Sequence, residues 1–527
     1  MEKLLLITPP FVQPNTPYPA TAYLKGYLAR QGQAVEQADL SVELLDRIFS
    51  RVFLGRVFDA YAGSREANAS NRDENLARMH VLAPRYLATV ESVMRFLRHG
   101  DNTLGTLIVG GDFLPQAGRF SAAGDLDYFF GTLGTTDCAR FLCTLYLQDL
   151  SDLIRAVVTP HFEIVRYGES LSLAIPAFDL LEKELQTPRN LIEEEMVRLL
   201  EAKVAEHRPT LAGFTLPFPG NLLSALRCAQ YLRETHPEIR IAFGGGYPTT
   251  ELRDMTDKGI FRYVDYVILD DGELPLERIL ARSPLVRTYT AEGYHEGEGR
   301  ITHEQRGCPD FSGLPHDLYF SLSEVTNPMH RLWSDGRWNK MMIAHGCYWA
   351  KCAFCDTSLA YIGRYESVPA PLFVDWMERV MEQTGSRGFH FVDEAAPPKI
   401  LKEISLEILR RGLKVSWWTN IRFESSFTGD VAQLMSAAGC IAVSGGLETA
   451  SDRLLGAMNK GVTIEQATLA MRNFYYAGIM VHTYLMYGFP TQTLQESIDA
   501  LDVVRQLFRA ELIDSAFWHR YAMTVHS

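Results

Sequence analysis

The sequence predicts an α/β protein with two consecutive domains, each built from parallel strands that alternate with helices. Three observations support this prediction. Apolar, strand-like runs alternate with amphipathic helices in two separate stretches, a long helical stretch interrupts the first of them, and three of the eight cysteines lie close together in the second. Strands that are apolar throughout are typical of parallel sheets covered by helices on both faces.

Composition and charge narrow the class of protein. The 527 residues, 47% of them hydrophobic, predict two or three domains with substantial cores. A formal net charge of −13 argues against a nucleic-acid partner, which needs clustered Lys and Arg. The first apolar run ends at Pro9 and Pro10, where a signal peptide would continue, and no apolar run reaches the length of a membrane span. We therefore expect a cytoplasmic protein without a membrane span.

The first domain begins with strand, helix and strand. KLLLIT is an apolar strand, AYLKGYLARQG has helical spacing and a closing glycine, and QAVEQADL is a second strand. Residues 46–194 then form a mostly helical insertion without an interpretable motif. The alternation resumes with the strands PTLAGFTL, IRIAFGGGYPT and VDYVILDDGE, separated by helices. We predict a doubly wound, Rossmann-like domain from residues 1–45 and 195–290.

Candidate ligand contacts lie at the carboxyl ends of these strands, where doubly wound sheets bind their ligands. Thr215 ends one predicted strand, and Gly244, Gly245 and Gly246 end the next. The glycines fit either the close approach of a large ligand or a tight turn between strand and helix. The sequence alone leaves both interpretations open.

The second domain is predicted at residues 339–527, after a polar linker at residues 291–338. Its strands begin with KMMIAHG and GFHFVDE and continue through LKVSWWTN, CIAVSGGLE, GIMVHTYLMYG and IDSAFWHRYAMTV. Helices separate them, which gives six β/α units. This number predicts a partial (β/α)6 barrel rather than a full barrel of eight units.

Three cysteines directly follow the first strand of the second domain, in the segment HGCYWAKCAFCDTS. Thiolates of Cys347, Cys352 and Cys355 can hold three irons of a [4Fe–4S] cluster and leave the fourth iron open to a ligand. A structural zinc site of these cysteines with His345, an electron-transfer cluster and unliganded cysteines are the alternatives. The remaining cysteines are expected to be buried small hydrophobic residues: Cys138, Cys143, Cys228, Cys308 and Cys440.

The cysteine segment resembles the signature of the radical S-adenosylmethionine (SAM) superfamily, and the order of the two domains resembles its cobalamin-binding branch. The resemblance covers about residues 1–45 and 195–527. The common signature is C-x3-C-x2-C with an aromatic residue before the last cysteine; Phe354 occupies that place, but the first pair here is spaced C-x4-C. The resemblance implies a [4Fe–4S] cluster that cleaves SAM to a 5′-deoxyadenosyl radical.

Further site residues follow from the same resemblance. Asp393 and Glu394 match the acidic residues that contact the substrate ammonium. Glu448 matches the residue that contacts the ribose, and Gly488 matches the turn that lies near the adenine. Arg422 is placed to bind a carboxylate or to order the site. Capping of the next helix is the alternative role for the two acids at 393 and 394, and an ion pair is the alternative for the arginine.

The resemblance of the first domain implies cobalamin. The matching segments are ITPP…YLKGYLARQG, the strand end GFT, FGGGYPT and VDYVILDDGELPLERIL. The cobalt-ligating motif D-x-H-x-x-G does not occur in the chain, so cobalamin would bind without that histidine. Its tail would extend past Thr215 and residues 244–246. A vestigial domain that only shapes the substrate cleft is the alternative.

The activity implied by the resemblance is methyl transfer to an unactivated carbon of a small-molecule or peptide substrate. Radical cyclisation or rearrangement, and a non-catalytic iron–sulfur or cobalamin binding protein, are the alternatives. An electron donor such as a flavodoxin or ferredoxin is the expected partner. Because relatives usually extend further, the natural chain is expected to continue past Ser527.

Overall fold

The computed structural model describes residues 2–64, 73–173, 178–325, 327, 329, 332–333 and 336–523. The chain divides into two compact units. Unit 1 comprises Met1–Ile301, Asp310–Thr326 and Trp333–Arg337, and unit 2 comprises Thr302–Pro309, Asn327–Leu332 and Trp338–Ser527. The stretch 291–338, expected to be a linker, is thus divided between the two units. No helix within the described part of the chain is long and apolar enough to cross a membrane.

Unit 1 is built on a seven-stranded sheet. The strands of unit 1 are β1 Lys3–Thr8, β2 Ala34–Asp39, β3 Phe162–Glu163, β4 Arg166–Tyr167, β5 Leu211–Thr215, β6 Arg240–Gly244, β7 Tyr266–Ile268, β8 Thr288–Thr290 and β9 Gly293–His295. Strands β3 and β4 form a separate small hairpin in the insertion, and the other seven form the sheet. The sheet order is β2–β1–β5–β6–β7–β8–β9, and the first five strands are parallel. This is the strand order of doubly wound folds, whose ligand crevice opens where the order reverses, here between β1 and β5.

Helices cover both faces of this sheet, as expected. Alternate residues of β1 point to opposite faces: Leu5 and Ile7 join one buried core with the insertion, and Leu4 and Leu6 join another with the helices α1 (Ala20–Arg30) and α14 (Glu273–Leu280). The helices of unit 1 are α1 Ala20–Arg30, α2 Leu40–Ile48, α3 Arg51–Ala62, α4 Glu74–Val81, α5 Ala83–His99, α6 Asn102–Val109, α7 Leu126–Phe130, α8 Thr135–Val157, α9 Glu169–Leu173, α10 Asp179–Leu185, α11 Leu191–His207, α12 Leu222–Thr235, α13 Gly246–Thr250 and α14 Glu273–Leu280. The insertion after β2 is mostly helical wherever it is described.

One edge of the sheet departs from the expected parallel arrangement. Strands β8 and β9 form a hairpin, and β8 pairs with β7 in the antiparallel direction. A turn at residues 291–292, followed by Gly293 with φ +146°, reverses the chain within the sheet. The sheet therefore continues to His295, inside the stretch expected to be a linker.

Unit 2 contains a six-stranded sheet in which all neighbouring strands are parallel. Its order is β10–β13–β14–β15–β16–β17. The strands of the unit are β10 Asn339–Met341, β11 Ala344–His345, β12 Glu366–Ser367, β13 Gly388–Phe391, β14 Ser416–Ile421, β15 Cys440–Glu448, β16 Met480–Tyr487 and β17 Ser515–Arg520. The six strands confirm the predicted partial barrel; residues 524–525, the end of the last predicted strand, lie outside the described residues.

The first strand of the barrel is interrupted. The prediction took KMMIAHG as one strand, but β10 ends at Met341, and β11 pairs with β12 in a separate antiparallel ladder. At this break the Asp393 carboxylate accepts hydrogen bonds from the amide of Ile343 and from the amide of Ala344, the first residue of β11. In a continuous strand these amides would have been available for pairing with a neighbouring strand of the sheet.

The helices of unit 2 have local signals at their ends. They are α15 His303–Arg306, α16 Ala360–Gly363, α17 Ala370–Thr384, α18 Pro398–Arg411, α19 Gly429–Ala437, α20 Asp452–Ala457, α21 Ile464–Tyr476 and α22 Leu494–Arg509. Thr463 and Thr493 begin α21 and α22 with capping boxes, and Gly385 and Gly412 end α17 and α18 in the left-handed conformation. Helix α18 packs against α17 and α19, and α19 packs against α21, so these helices form one layer.

Candidate functional site

The three cysteines lie on a loop that follows β11, at the carboxyl end of the barrel. Gly346, directly before Cys347, has φ +70°, and a Cβ there would lie 1.9 Å from the carbonyl oxygen of Arg364. Only glycine fits this position, because a side chain would be both strained and in collision with backbone. The start of the cysteine loop is therefore set by local backbone geometry.

A short segment at residues 458–461, after α20, fixes the middle of the cysteine loop. The amide of Ala353 donates to the Met458 carbonyl oxygen at 2.9 Å, and Trp349 Nε1 donates to the Asn459 carbonyl oxygen at 2.9 Å. Gly461 leaves room for the indole, since a Cβ there would lie 2.0 Å from Trp349 Cζ2. Backbone and side-chain contacts together orient the loop.

Phe354 anchors the end of the loop in an apolar cluster. It packs with Leu454 on α20, with Met458 directly after that helix, and with Phe489 after β16, and all three are buried. The Lys460 ammonium lies 5.7 Å from the centre of the Phe354 ring. In this structure the aromatic residue before the last cysteine thus packs against the protein and orients Cys355.

Two buried cations face the cysteines. Arg422 Nη1 lies 3.8 Å from Cys352 Sγ, and its guanidinium stacks over Trp349 with 4.4 Å to the ring centre. Its other terminal nitrogen donates to the carbonyl oxygen of Lys460. A hydrogen bond from the Cys355 thiol, and then the charges of Lys460 and Arg422, lower the pKa of Cys352. The surroundings of Cys352 therefore favour the thiolate, which is the form that binds iron.

The loop offers three thiols, the kind of donor that iron–sulfur clusters use. Cys352 is buried, whereas Cys347 and Cys355 are half-buried. No three His, Cys, Asp or Glu side chains of the described residues lie close enough together to hold a single metal ion. Ligands of a cubane cluster bind different irons, so their sulfur atoms need not converge on one point.

His345, the fourth ligand in the zinc alternative, contacts Tyr361. Its Nε2 lies 2.8 Å from the carbonyl oxygen of Tyr361, and its ring packs against the Tyr361 ring. Because a carbonyl oxygen only accepts, Nε2 carries a proton and donates to it. The cysteines outside the loop are all buried, as expected: Cys138, Cys143, Cys228, Cys308 and Cys440.

The two acids after β13 have different environments. The Asp393 carboxylate is buried, with Oδ2 3.0 Å from the Ile343 amide and Oδ1 2.7 Å from the Ala344 amide. Both oxygens thus hold the chain just before the cysteine loop. Glu394 is exposed. Of the two predicted ammonium contacts, Glu394 has the freer side chain.

Asp393 gives the stability of the protein a specific pH dependence. Burial raises its pKa to about 7, although the two backbone amides favour the carboxylate. The folded state then binds the proton more tightly than the unfolded state, so this contribution is present at low pH and is lost as the pH rises from about 4 to about 7. We expect wild type to lose about 2 kcal/mol more free energy of unfolding than Asp393→Asn between about pH 5 and about pH 7.5. Urea denaturation at the two pH values measures the free energy of unfolding of both proteins. Equal losses in wild type and Asp393→Asn would contradict a raised pKa of Asp393.

Glu448, the predicted ribose contact, is held by a residue that the sequence did not single out. Its Oε1 lies 2.6 Å from Lys460 Nζ, and both side chains are buried. Glu448 has φ +63°, a strained conformation for a residue with a side chain. A Cβ at Gly446 would lie 1.7 Å from Glu448 Oε1, so the glycine makes room for the ion pair.

Gly488, predicted near adenine, follows β16 in an exposed turn. It has φ +83°, and its amide donates to Gln492 Oε1 at 2.7 Å. A Cβ there would contact nothing within 4 Å. The positive φ thus accounts for a glycine at position 488, and there is free space where a side chain would lie.

The predicted cobalamin contacts lie together in unit 1, at the ends of β5 and β6. Thr215 is buried and pairs with Gly244. Gly245 has φ +112°, and Cβ atoms at Gly245 and Gly246 would lie 2.7 Å from the Leu216 carbonyl oxygen and 3.0 Å from that of Pro217. Close packing of two turns thus accounts for these two glycines without a ligand.

Sequence reasoning missed Trp349, Lys460 and Gly461. Trp349 lies between the first two cysteines, and it contacts both Arg422 and Asn459. The sequence signal for Lys460 and Gly461 is the polar segment MNKG directly after a short helix. Such a segment is typical of a turn, and nothing in it indicates contact with the cysteine loop. Only the fold brings this segment to the cysteine loop.

Comparisons with known proteins agree with this geometry. Residues 341–504 match the Radical SAM superfamily. The chain is 26% identical over 304 residues to an uncharacterised methyltransferase of Pyrococcus horikoshii, covering 55% of this chain and 62% of that protein. It is 23% identical over 350 residues to the anaerobic magnesium-protoporphyrin IX monomethyl ester cyclase of Rubrivivax gelatinosus, covering 63% and 59%. The chain thus spans about three fifths of the length of these relatives.

Among solved structures, the chain is similar to the radical S-adenosylmethionine methyltransferase TsrM from Kitasatospora setae with cobalamin and a [4Fe-4S] cluster bound. The TM-score is 0.49 at 15% identity, covering 99% of this chain and 72% of that one. The family match begins within β10 and includes the cysteine loop, Arg422, Glu448 and Lys460. Residues 341–504 of this chain therefore form a radical SAM domain.

Proposed function

We propose that the protein is a radical SAM enzyme whose [4Fe–4S] cluster is held by Cys347, Cys352 and Cys355. The observation that carries this proposal is the placement of a three-cysteine loop at the carboxyl end of a six-stranded parallel barrel, beside two buried cations, inside the segment that matches the superfamily. When bound, the cluster supplies the electron that cleaves SAM to the 5′-deoxyadenosyl radical.

The surrounding side chains have distinct roles in the proposal. Arg422 and Lys460 offset the negative charge of the thiolates, which is costly in a buried site without counter-charges. Glu394 is exposed at the end of β13 and is available to the SAM ammonium. Glu448 and Gly488 lie at the ends of β15 and β16, where the ribose and adenine are expected. Asp393 positions the cysteine loop.

The proposed reaction is methylation of an unactivated carbon with cobalamin bound to unit 1. When bound, methylcobalamin supplies the methyl group. Support comes from the doubly wound sheet with its order reversal between β1 and β5, and from the methyltransferase of Pyrococcus horikoshii among the relatives. The cyclase of Rubrivivax gelatinosus favours radical cyclisation as the second candidate. A flavodoxin or ferredoxin is the proposed electron donor, and the substrate is a small molecule or peptide.

Anaerobic reconstitution tests the proposal. We expect about four irons per chain, an EPR signal of the reduced cluster that changes when SAM is added, and formation of 5′-deoxyadenosine under reducing conditions. With methyl-labelled SAM and hydroxocobalamin, label on cobalamin supports methyl transfer, whereas 5′-deoxyadenosine without labelled cobalamin favours cyclisation. One zinc per chain and no EPR signal would overturn the radical chemistry.

A further inference from the structure

Three side chains on neighbouring strands of unit 2 form a rung across the barrel sheet. Lys340 on β10 pairs with His390 on β13, and His390 pairs with Trp418 on β14. Paired residues of a parallel sheet place their side chains on the same face, so all three project together. Neither Lys340 nor His390 takes part in the cysteine site.

The rung lies on the face of the sheet opposite to the helices. The alternate residues Phe391 and Trp417 pack with each other, and Phe391 packs against Phe373 on α17 with ring centres 5.1 Å apart. Since successive strand residues point to opposite faces, Lys340, His390 and Trp418 point away from the helix layer. In a partial barrel this face is the interior.

Lys340 is an ammonium group surrounded by protein, and no counter-charge lies beside it among the residues that the structure describes. None of the acidic side chains in the described part of the chain forms an ion pair with it. Burial lowers its pKa to about 8, so the group is still largely charged at neutral pH. The side chain nevertheless keeps part of its surface accessible. An unpaired charge in such a position is costly unless something compensates it.

His390 places a ring nitrogen that can carry a proton beside this charge. Its ring stacks on Trp418 with centres 3.6 Å apart and planes 8° from parallel, which fixes its orientation. Its Nε2 is buried and has no hydrogen-bond partner among the described residues. Burial, and then the nearby Lys340 charge, lower the pKa of His390, so the imidazole is neutral and carries one N–H.

We propose that Lys340 and His390 form an anion subsite inside the barrel that binds a carboxylate of the substrate. The two residues stand on adjacent strands about 4.8 Å apart, so the two oxygens of one carboxylate can accept from both. Asp393 follows His390 by three positions, which places the subsite about 10 Å along the strand from the carboxyl ends. The inference rests on the proposed function, because it makes the substrate an acid whose reacting carbon lies well away from the carboxylate.

NMR of protein labelled with ¹³C at histidine Cε1 tests the subsite without cluster, SAM or cobalamin. We titrate the full chain with propionate and identify the His390 signal by its absence in His390→Phe. We expect a saturable shift of this signal, at least tenfold weaker binding in Lys340→Met, and no change in Lys402→Met, which removes an exposed lysine of the same unit. The melting temperature of Lys340→Met should equal or exceed that of wild type, because an uncompensated charge is removed.

Three outcomes would overturn the subsite. The first is no propionate-dependent shift in a protein that binds iron and forms 5′-deoxyadenosine, which leaves the proposed function intact. The second is an equal shift with sodium chloride at matched ionic strength. The third is a shift with inorganic phosphate but not with propionate, which would replace the carboxylate by a phosphate. A propionate shift in a chain that forms no 5′-deoxyadenosine would support the subsite and overturn the radical function instead.

Discussion

Cys352→Ser is expected to abolish cluster binding. Cys352 is the buried cysteine of the loop, it lies 3.8 Å from Arg422, and the Cys355 thiol and the nearby cations stabilise its thiolate. A serine hydroxyl is not ionised at neutral pH and is a poor ligand for iron. We expect iron content to fall from about four to below about one per chain, and 5′-deoxyadenosine formation to fall more than about 100-fold. Iron analysis, EPR and chromatography of the nucleoside measure these effects.

Cys440→Ala is the matched control for this prediction. Cys440 is also a buried thiol of unit 2, but it begins β15 and is not part of the loop. We expect a loss of about 1 kcal/mol in stability from the smaller side chain, with normal iron content. Wild-type iron content in Cys352→Ser, or loss of iron in Cys440→Ala, would contradict the assignment of the cluster ligands.

Gly461→Ala is expected to displace the cysteine loop. The new Cβ would overlap the Trp349 ring, and alanine would be strained at φ +73°. Strain in the left-handed region costs about 1 kcal/mol and overpacking about 1–3 kcal/mol, so we expect a loss of about 2–4 kcal/mol in stability. Because Trp349 also contacts Arg422, we expect iron retention to fall as well. Urea denaturation and iron content after reconstitution measure the two effects.

Gly478→Ala is the control that introduces the same backbone strain without a steric collision. Gly478 has φ +72°, nearly that of Gly461, but a Cβ there would meet nothing within 4 Å. We expect it to lose only about 1 kcal/mol and to keep its iron. In Gly461→Ala, the further change Trp349→Ala should recover part of the stability, because it removes the ring that collides. Equal losses in Gly461→Ala and Gly478→Ala would show that the contact with Trp349 does not support the loop.

Much of the fold was predictable because its signals are local. The buried strands β5 and β6 are apolar runs, and α21 and α22 begin with their own capping residues. The break between β10 and β11 was not predictable, because it depends on Asp393, which lies about fifty positions further along the chain. The hairpin of β8 and β9 was missed because its strands are only three residues long and carry little periodic signal.

The sequence by itself determined the identity and spacing of the three cysteines, the alternation of strands and helices, and the order of the two domains. These features depend on residues that are neighbours in the chain. Only the tertiary structure decided which groups surround the cysteines, because Arg422 and Lys460 reach Cys352 from other β/α units. It also decided that Lys340, His390 and Trp418 lie side by side, since strand pairing joins residues that are about thirty to fifty positions apart. Such contacts follow from strand register and sheet closure, which no local pattern specifies.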